Sequence, residues 1–180
     1  FQALKMQDAL ANGHSVAVGH LALTSSTEGL RNVAVGGSSL TNQLTGDDNI
    51  AIGHGALFTE DGGSRSVAIG SYALFVQNST TSNNNVAVGY NTGKAVNTGT
   101  NNTLIGANSG EAIVDGINNT LVGSKSGDAI VDGMESTFIG YDAGSVTTDS
   151  EKCTFIGSNA GNALNYTGEN LTCLGYNAQP

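Results

Sequence analysis

The stretch Asn85-Val86-Ala87-Val88-Gly89, answered by Asn102-Thr103-Leu104-Ile105-Gly106, decides the fold, because each is a short apolar run closed by glycine and the same shape returns along the chain. It reads SVAVG ending at Gly19, NVAVG at Gly36, NIAIG at Gly53 and SVAIG at Gly70 before the quoted pair. It then reads NTLVG at Gly123, STFIG at Gly140, CTFIG at Gly157 and LTCLG at Gly175. The intervals between successive motif glycines are 17, 17, 17, 19, 17, 17, 17, 17 and 18 residues. Self-similarity at a fixed period is the signature of stacked repeat architectures. A second glycine precedes the motif glycine by seven residues at Gly29, Gly46, Gly63, Gly99, Gly116, Gly133 and Gly168, which points to two turns per repeat.

Each motif is too short for a helix, rich in β-branched residues and bounded by Gly and Asn, so it is expected to be a strand. A second short apolar stretch follows the motif in later repeats: Ala112-Ile113-Val114, Ala129-Ile130-Val131 and the weaker Ala163-Leu164. Two strands and two tight turns per repeat describe one rung of a flattened β-roll. The expected fold is therefore all-β, a parallel β-solenoid of about ten coils. At about 4.8 Å per coil the rod would be roughly 48 Å long, with each coil pairing to the coils on either side.

Composition agrees. With 26 Gly, no Trp and 6% aromatics among 180 residues, bulky side chains cannot be what organises the chain, and a single Pro leaves strand hydrogen bonding almost uninterrupted. The formal net charge of −9 would repel a nucleic acid backbone, so no nucleic-acid partner is expected. No apolar run reaches the length of a membrane span, and the first ten residues contain no signal-peptide core, so no membrane insertion is expected in this segment. The chain begins with Phe, as a piece of a longer protein would. Cys153 and Cys173 stand alone, without CxxC spacing, and are read as packing thiols.

The repeats divide into two sets. Residues 1–14 form a cap or connector, 15–76 a first set, 77–84 a polar insertion where a bend is expected, and 85–180 a second set. The first five motifs carry Val or Ile on either side of a central Ala, and the first four carry a Leu four residues past the glycine (Leu23, Leu40, Leu57, Leu74). The last five open on Thr (Thr103, Thr120, Thr137, Thr154, Thr172) and centre on Leu104, Leu121, Phe138, Phe155 and Cys173. From the fifth coil the downstream Leu becomes Gly (Gly93, Gly110, Gly127, Gly144, Gly161), while Val96, Ile113, Ile130 and Leu164 appear three residues further on. Apolar volume has moved within the coil. A thin rod with a second apolar strand face is expected to cover that face with other chains, and closed threefold symmetry is the expected arrangement.

The NVAVG and SVAIG coils followed by Ala-Leu resemble the head repeats of trimeric autotransporter adhesins, and the NTxIGxxAG coils resemble those of bacteriophage tail fibres and related virion appendages. The resemblance covers about residues 15–178. It implies a homotrimer, associated with other fibre or virion proteins, that acts as an adhesive or spacer segment on a virion, in the extracellular space or at a cell surface. The coil here is longer than that of the adhesin heads, which moves the expectation toward a tail fibre, with a bacterial adhesin head as the rival. An ice-binding solenoid is a further alternative; it needs regular Thr ranks, and here the Thr column alternates with large apolar residues.

Candidate contact residues follow from the columns. The residue after the motif glycine is His20, His54, Tyr90, Tyr141 or Tyr176 in half of the coils. Such rings can stack on a cell-surface glycan or simply shield the turn, the latter being the commoner use. His20 and His54 lie two coils apart, roughly 9.6 Å, too far to share a metal ion. Asp115, Asp132 and Asp149 recur nine residues past successive glycines, with Glu111 and Asp128 at another repeated position. They are weak Ca²⁺ candidates, and turn chemistry is the favoured account. Asn32, Asn49, Asn85, Asn102 and Asn119, at the strand starts, are read as a stacked amide ladder. The sequons at Asn78, Asn101, Asn118, Asn165 and Asn170 follow from an Asn/Thr-rich repeat. No nucleophile and base stand outside the repeat pattern, so no catalytic residue, metal or cofactor is expected; glycan cleavage by acids from neighbouring chains is the enzymatic alternative.

Overall fold

A computed structural model describes residues 14–162 and 169–180 and contains one ten-stranded sheet. The strands are β1 (Val16–Val18), β2 (Val33–Val35), β3 (Ile50–Ile52), β4 (Val67–Ile69), β5 (Val86–Val88), β6 (Thr103–Ile105), β7 (Thr120–Val122), β8 (Thr137–Ile139), β9 (Thr154–Ile156) and β10 (Thr172–Leu174). They pair in sequence order, all parallel, and the register matches motif to motif: Val16 to Val33, Ala17 to Ala34, and so on to Thr154 and Thr172. The fold is a β-solenoid, one strand per coil. β4 and β5 pair in the same register as their neighbours, so the sheet runs unbroken past the longer coil.

The expected second strand is absent from the described coils. Ala112–Val114 and Ala129–Val131 lie in turns and irregular backbone, although Ala112 and Val114 still donate to the next coil at Asp128 and Val131. Ala163-Leu164 falls outside the described residues. The physical reason is backbone handedness. In most coils the residues two and four past the motif glycine, and the one five before it, have left-handed φ near +50° to +60°, as at Asp142, Gly144 and Glu135. An extended run cannot survive such reversals. Outside the sheet, pairing reduces to isolated bridges such as Ile117 to Met134 and Met134 to Glu151, three residues ahead of the strands.

What sets the register is the motif glycine. These residues have φ between 117° and 144°, and from Gly19 to Gly157 an added Cβ would lie 2.1–2.6 Å from the backbone of the next motif glycine. Both conditions exclude a side chain. The neighbouring position adds an amide ladder. Asn102 donates from Nδ2 to the Gly116 carbonyl at 2.7 Å, and its Oδ1 accepts the backbone N–H of Asn119 at 3.0 Å. Asn32, Asn49, Asn85 and Asn119 repeat both bonds in their own coils. Within this ladder, direct amide-to-amide bonds link Asn102 to Asn85 and Asn119 to Asn102. Buried amides so satisfied cost nothing in desolvation that their bonds do not offset.

The strand's central residue points inward and the flanking two outward. Ala34, Ala51, Leu104, Phe138 and Phe155 are fully buried, with Phe138 and Phe155 stacked at 4.6 Å. The migration of apolar volume is a steric exchange across this core. In the first four coils, whose central residue is Ala, a buried Leu four residues past the glycine fills the space; Leu57 does so at φ 49°. With a central Phe the same site must be empty: a Cβ on Gly144 would sit 2.4 Å from the Phe138 ring. The remaining corner is polar in the early coils. Gln43 bonds the Gly46 carbonyl, while Glu60, fully buried, accepts from the Gly63 N–H at 2.7 Å and from Gln77 at 2.6 Å. Val96, Ile113 and Ile130 take over the position further along.

Two substitutions test this account. Gly53→Ala is expected to destabilise beyond the ~3 kcal/mol that bounds most single changes, measured by denaturant melts. Ala51→Leu alone should overpack the third coil and cost about 1–3 kcal/mol. Adding Leu57→Gly to the same chain should recover much of that loss, although each change alone destabilises.

Candidate functional site

Three surfaces are candidates. The outward face of the sheet comes first, because every coil contributes two side chains to it. The strand register aligns one column of Val16, Val33, Ile50, Val67 and Val86 continuing into Thr103, Thr120, Thr137, Thr154 and Thr172. A parallel column runs from Val18 to Leu174 and includes Ile52, Ile69, Ile105, Ile139 and Ile156, each 37–39% exposed. No charged residue stands in either column. The Thr column therefore faces out beside an aliphatic column, and only the residue between them is buried.

The expected ring column is not continuous. His20, His54, Tyr90, Tyr141 and Tyr176 are all exposed, but Gly37, Ser71, Ala107, Ser124 and Ser158 separate them, so no two lie on adjacent coils. His54 is the member that joins a cluster, and its partners come from other columns. Its ring meets Tyr72 edge-on at 5.2 Å; Tyr72 meets Phe75 edge-on at 5.4 Å; Phe75 stacks on Phe58 at 5.1 Å. Gly55 lets the rings lie close to the backbone, since a Cβ there would come within 3.1–3.3 Å of Tyr72 and Phe75. Phe58, Tyr72 and Phe75 are half-buried. The sequence signal was available: Phe58 and Phe75 occupy one column in successive coils.

The acidic columns behave differently from one another. Asp115, Asp132 and Asp149 are exposed, and Asp115 accepts from the Thr98 hydroxyl at 2.5 Å, tying two coils at a corner. Among the described residues no three His, Cys, Asp or Glu side chains converge as a metal site would need. Asp128 is half-buried; burial pushes its carboxyl above the ordinary aspartate range and the adjacent Asp142 pushes it further, against Lys125, with Glu111 adding to the rise. Asn108 and Asn91 bond Glu111, and Asn162 bonds Asp142, so asparagine amides hold each of these two acids. Elsewhere Arg31 grips Asp48 of the next coil through two bonds of 2.6 and 2.9 Å, and that contact holds the Asp48 carboxyl below the usual range. Of the sequon asparagines, Asn78, Asn101, Asn118 and Asn170 are exposed and Asn165 lies outside the described residues. Cys153 and Cys173 are buried thiols in the end coils, and burial pushes Cys173 up.

Comparison with protein-family models, with curated proteins and with solved structures found no match.

The Asp128 environment makes a signed prediction. Because its folded value is raised, the folded chain binds more protons than the unfolded chain between the ordinary and the raised values, and stability falls as pH rises through that window. Asp128→Asn removes this penalty. Its melting temperature should exceed that of the unsubstituted chain at pH 7, and the difference should close below about pH 3, where the carboxyl is protonated in both states.

Proposed function

We propose that this chain is a structural and adhesive segment of an extracellular homotrimeric fibre, most in keeping with a phage tail fibre or virion appendage that contacts a host surface. The observation that carries the proposal is the outward sheet face: two uncharged columns, aliphatic in the first five coils and Thr-plus-aliphatic in the rest, running the length of the rod. Isolated exposed Val or Ile residues need no explanation, but a contiguous strip of them is what a protein interface looks like before its partner is added. In a closed threefold arrangement each copy presents that strip to the others. The resemblance of the SVAIG coils to adhesin-head repeats and of the NTxIG coils to tail-fibre repeats implies a homotrimer on a threefold axis, and a segment so assembled would serve as spacer and contact surface without chemistry of its own. A bacterial surface adhesin head uses the same architecture and is the direct rival.

The outward Thr column favours a second reading, an ice-binding face. Its Thr and aliphatic residues form a grid with spacings of about 4.8 Å between coils and about 6.6 Å along each strand. A face buried in a trimer cannot bind ice, so the two readings are exclusive.

Light scattering after size-exclusion chromatography separates them. A particle of three times the 18.1 kDa chain mass is expected for the fibre segment, and Ile105→Lys with Ile139→Lys should convert it to a folded monomer. A monomeric unsubstituted chain that inhibits ice recrystallisation would overturn the fibre reading in favour of the alternative.

A further inference from the structure

We infer that the outward threonine column of the last five coils aligns one copy of this chain against another, holding copies parallel and level. The inference rests on the fibre reading, in which the outward sheet face meets other copies. The two outward columns carry different information. The one from Val18 to Leu174 is aliphatic in every coil, so it presents the same kind of surface after a slide of one coil or with the rod turned end for end. It can bury area but cannot fix a position along the rod. The other is aliphatic in coils one to five (Val16, Val33, Ile50, Val67, Val86) and threonine in coils six to ten. That step makes the two halves of the strip unlike.

The fold does not ask for these hydroxyls. Valine and threonine are both β-branched and both suit a strand, and the parallel register is the same in either half. Turn threonines are used by the chain: Thr41, Thr59, Thr92 and Thr147 each donate to a backbone carbonyl. Among the described residues, by contrast, the side chains of Thr103, Thr120, Thr137, Thr154 and Thr172 make no hydrogen bond within the chain. What they serve lies outside it.

A second copy of the same chain is the partner that suits them. A hydroxyl both donates and accepts, so like columns satisfy each other across a contact, whereas a hydroxyl pressed on Val or Ile loses its water and gains no partner. Level, parallel copies set Thr against Thr and aliphatic against aliphatic in all ten coils. Turning one copy end for end sets every Thr against an aliphatic residue, because the column holds five of each kind. Sliding by one coil, about 4.8 Å, mismatches the coil at the step, and a stagger repeated from copy to copy runs on as an open helix instead of closing. With no charge in either column, charge cannot make the selection. A polar residue in an otherwise apolar seam fixes register in coiled coils by the same logic.

The test is thiol cross-linking between copies of the full chain. One chain carries both Val16→Cys and Thr172→Cys, which lie about 43 Å apart along the rod, too far to be joined within a copy by a short bismaleimide. Cys153 and Cys173 are buried, and the unsubstituted chain checks that they stay unlinked. Mass spectrometry of the linked peptides should find position 16 joined to 16 and 172 to 172, with mixed 16-to-172 links at least about tenfold rarer. Two further sets erase the step while keeping β-branched residues in every strand, which a thermal melt checks. Thr103→Val, Thr120→Val, Thr137→Val and Thr154→Val make the column aliphatic; Val33→Thr, Ile50→Thr, Val67→Thr and Val86→Thr make it threonine. In either erased chain mixed links should become comparable to like-end links, and light scattering should show particles beyond the closed one. Mixed links as frequent as like-end links with the native column, or like-end links alone in whichever erased chain assembles, would overturn the inference. Failure of both folded erased chains to assemble would overturn it too, because the step would then hold copies together and not align them. The particle mass of the unsubstituted chain reports separately on the fibre reading. A trimer whose erased variants keep like-end links retains the fibre and loses the aligning column; a monomer loses both.

Discussion

The close approach of one motif glycine to the next is the constraint on which the rest of the molecule depends. With the missing Cβ site of each motif glycine from Gly19 to Gly157 occupied by the backbone of the following coil, successive coils can stack in only one register. That register turns sequence positions into columns, and columns determine everything else: a buried Ala, Leu or Phe at the strand centre, an amide ladder at the strand start, and two uninterrupted ranks of side chains on the outer face. A slip of one residue would exchange the inner and outer faces of every strand. The glycine column prevents it more firmly than apolar pattern could, because Val-Ala-Val offers an apolar residue to either face.

Within that frame the two kinds of coil are alternative packings of one interior. Leu57 and Gly144 stand at the same place in their coils and share the same left-handed backbone, yet one fills space and the other vacates it, according to whether Ala51 or Phe138 lies opposite. The buried polar set around Glu60 and Gln77 occupies a corner that Ile113 and Ile130 fill elsewhere, and it lies where the chain takes two extra residues. A narrow core thus tolerates large changes of residue, provided neighbouring columns change together.

Much of this was legible in the sequence, because spacing alone carries it. The 17-residue period named the solenoid, and the trade of Leu74 for Gly93 announced a transfer of volume. The second strand was misread: Ala112-Ile113-Val114 has strand composition, but the left-handed residues before and after it, Asn108, Gly110 and Asn118, keep it irregular. The direction of the Thr column could not be read either, since period-two alternation does not say which face is inside. The aromatic cluster was half seen, through His54. Its other members lie two and five residues past the glycine, so a search along a single column could not join rings that the turn brings together from three.

Hydrogen bonds in this rod run mainly between a coil and its immediate neighbours, with residues about seventeen positions apart as partners. Length is therefore a free variable. A whole coil can be duplicated or lost at the level of the gene without disturbing any contact except the two it touches, and the new junction inherits the same glycine-on-glycine fit. Such a chain is a ruler: the distance it spans can be lengthened or shortened in steps of one coil, about 4.8 Å each, while the cross-section and the surface chemistry of the remaining coils stay as they were.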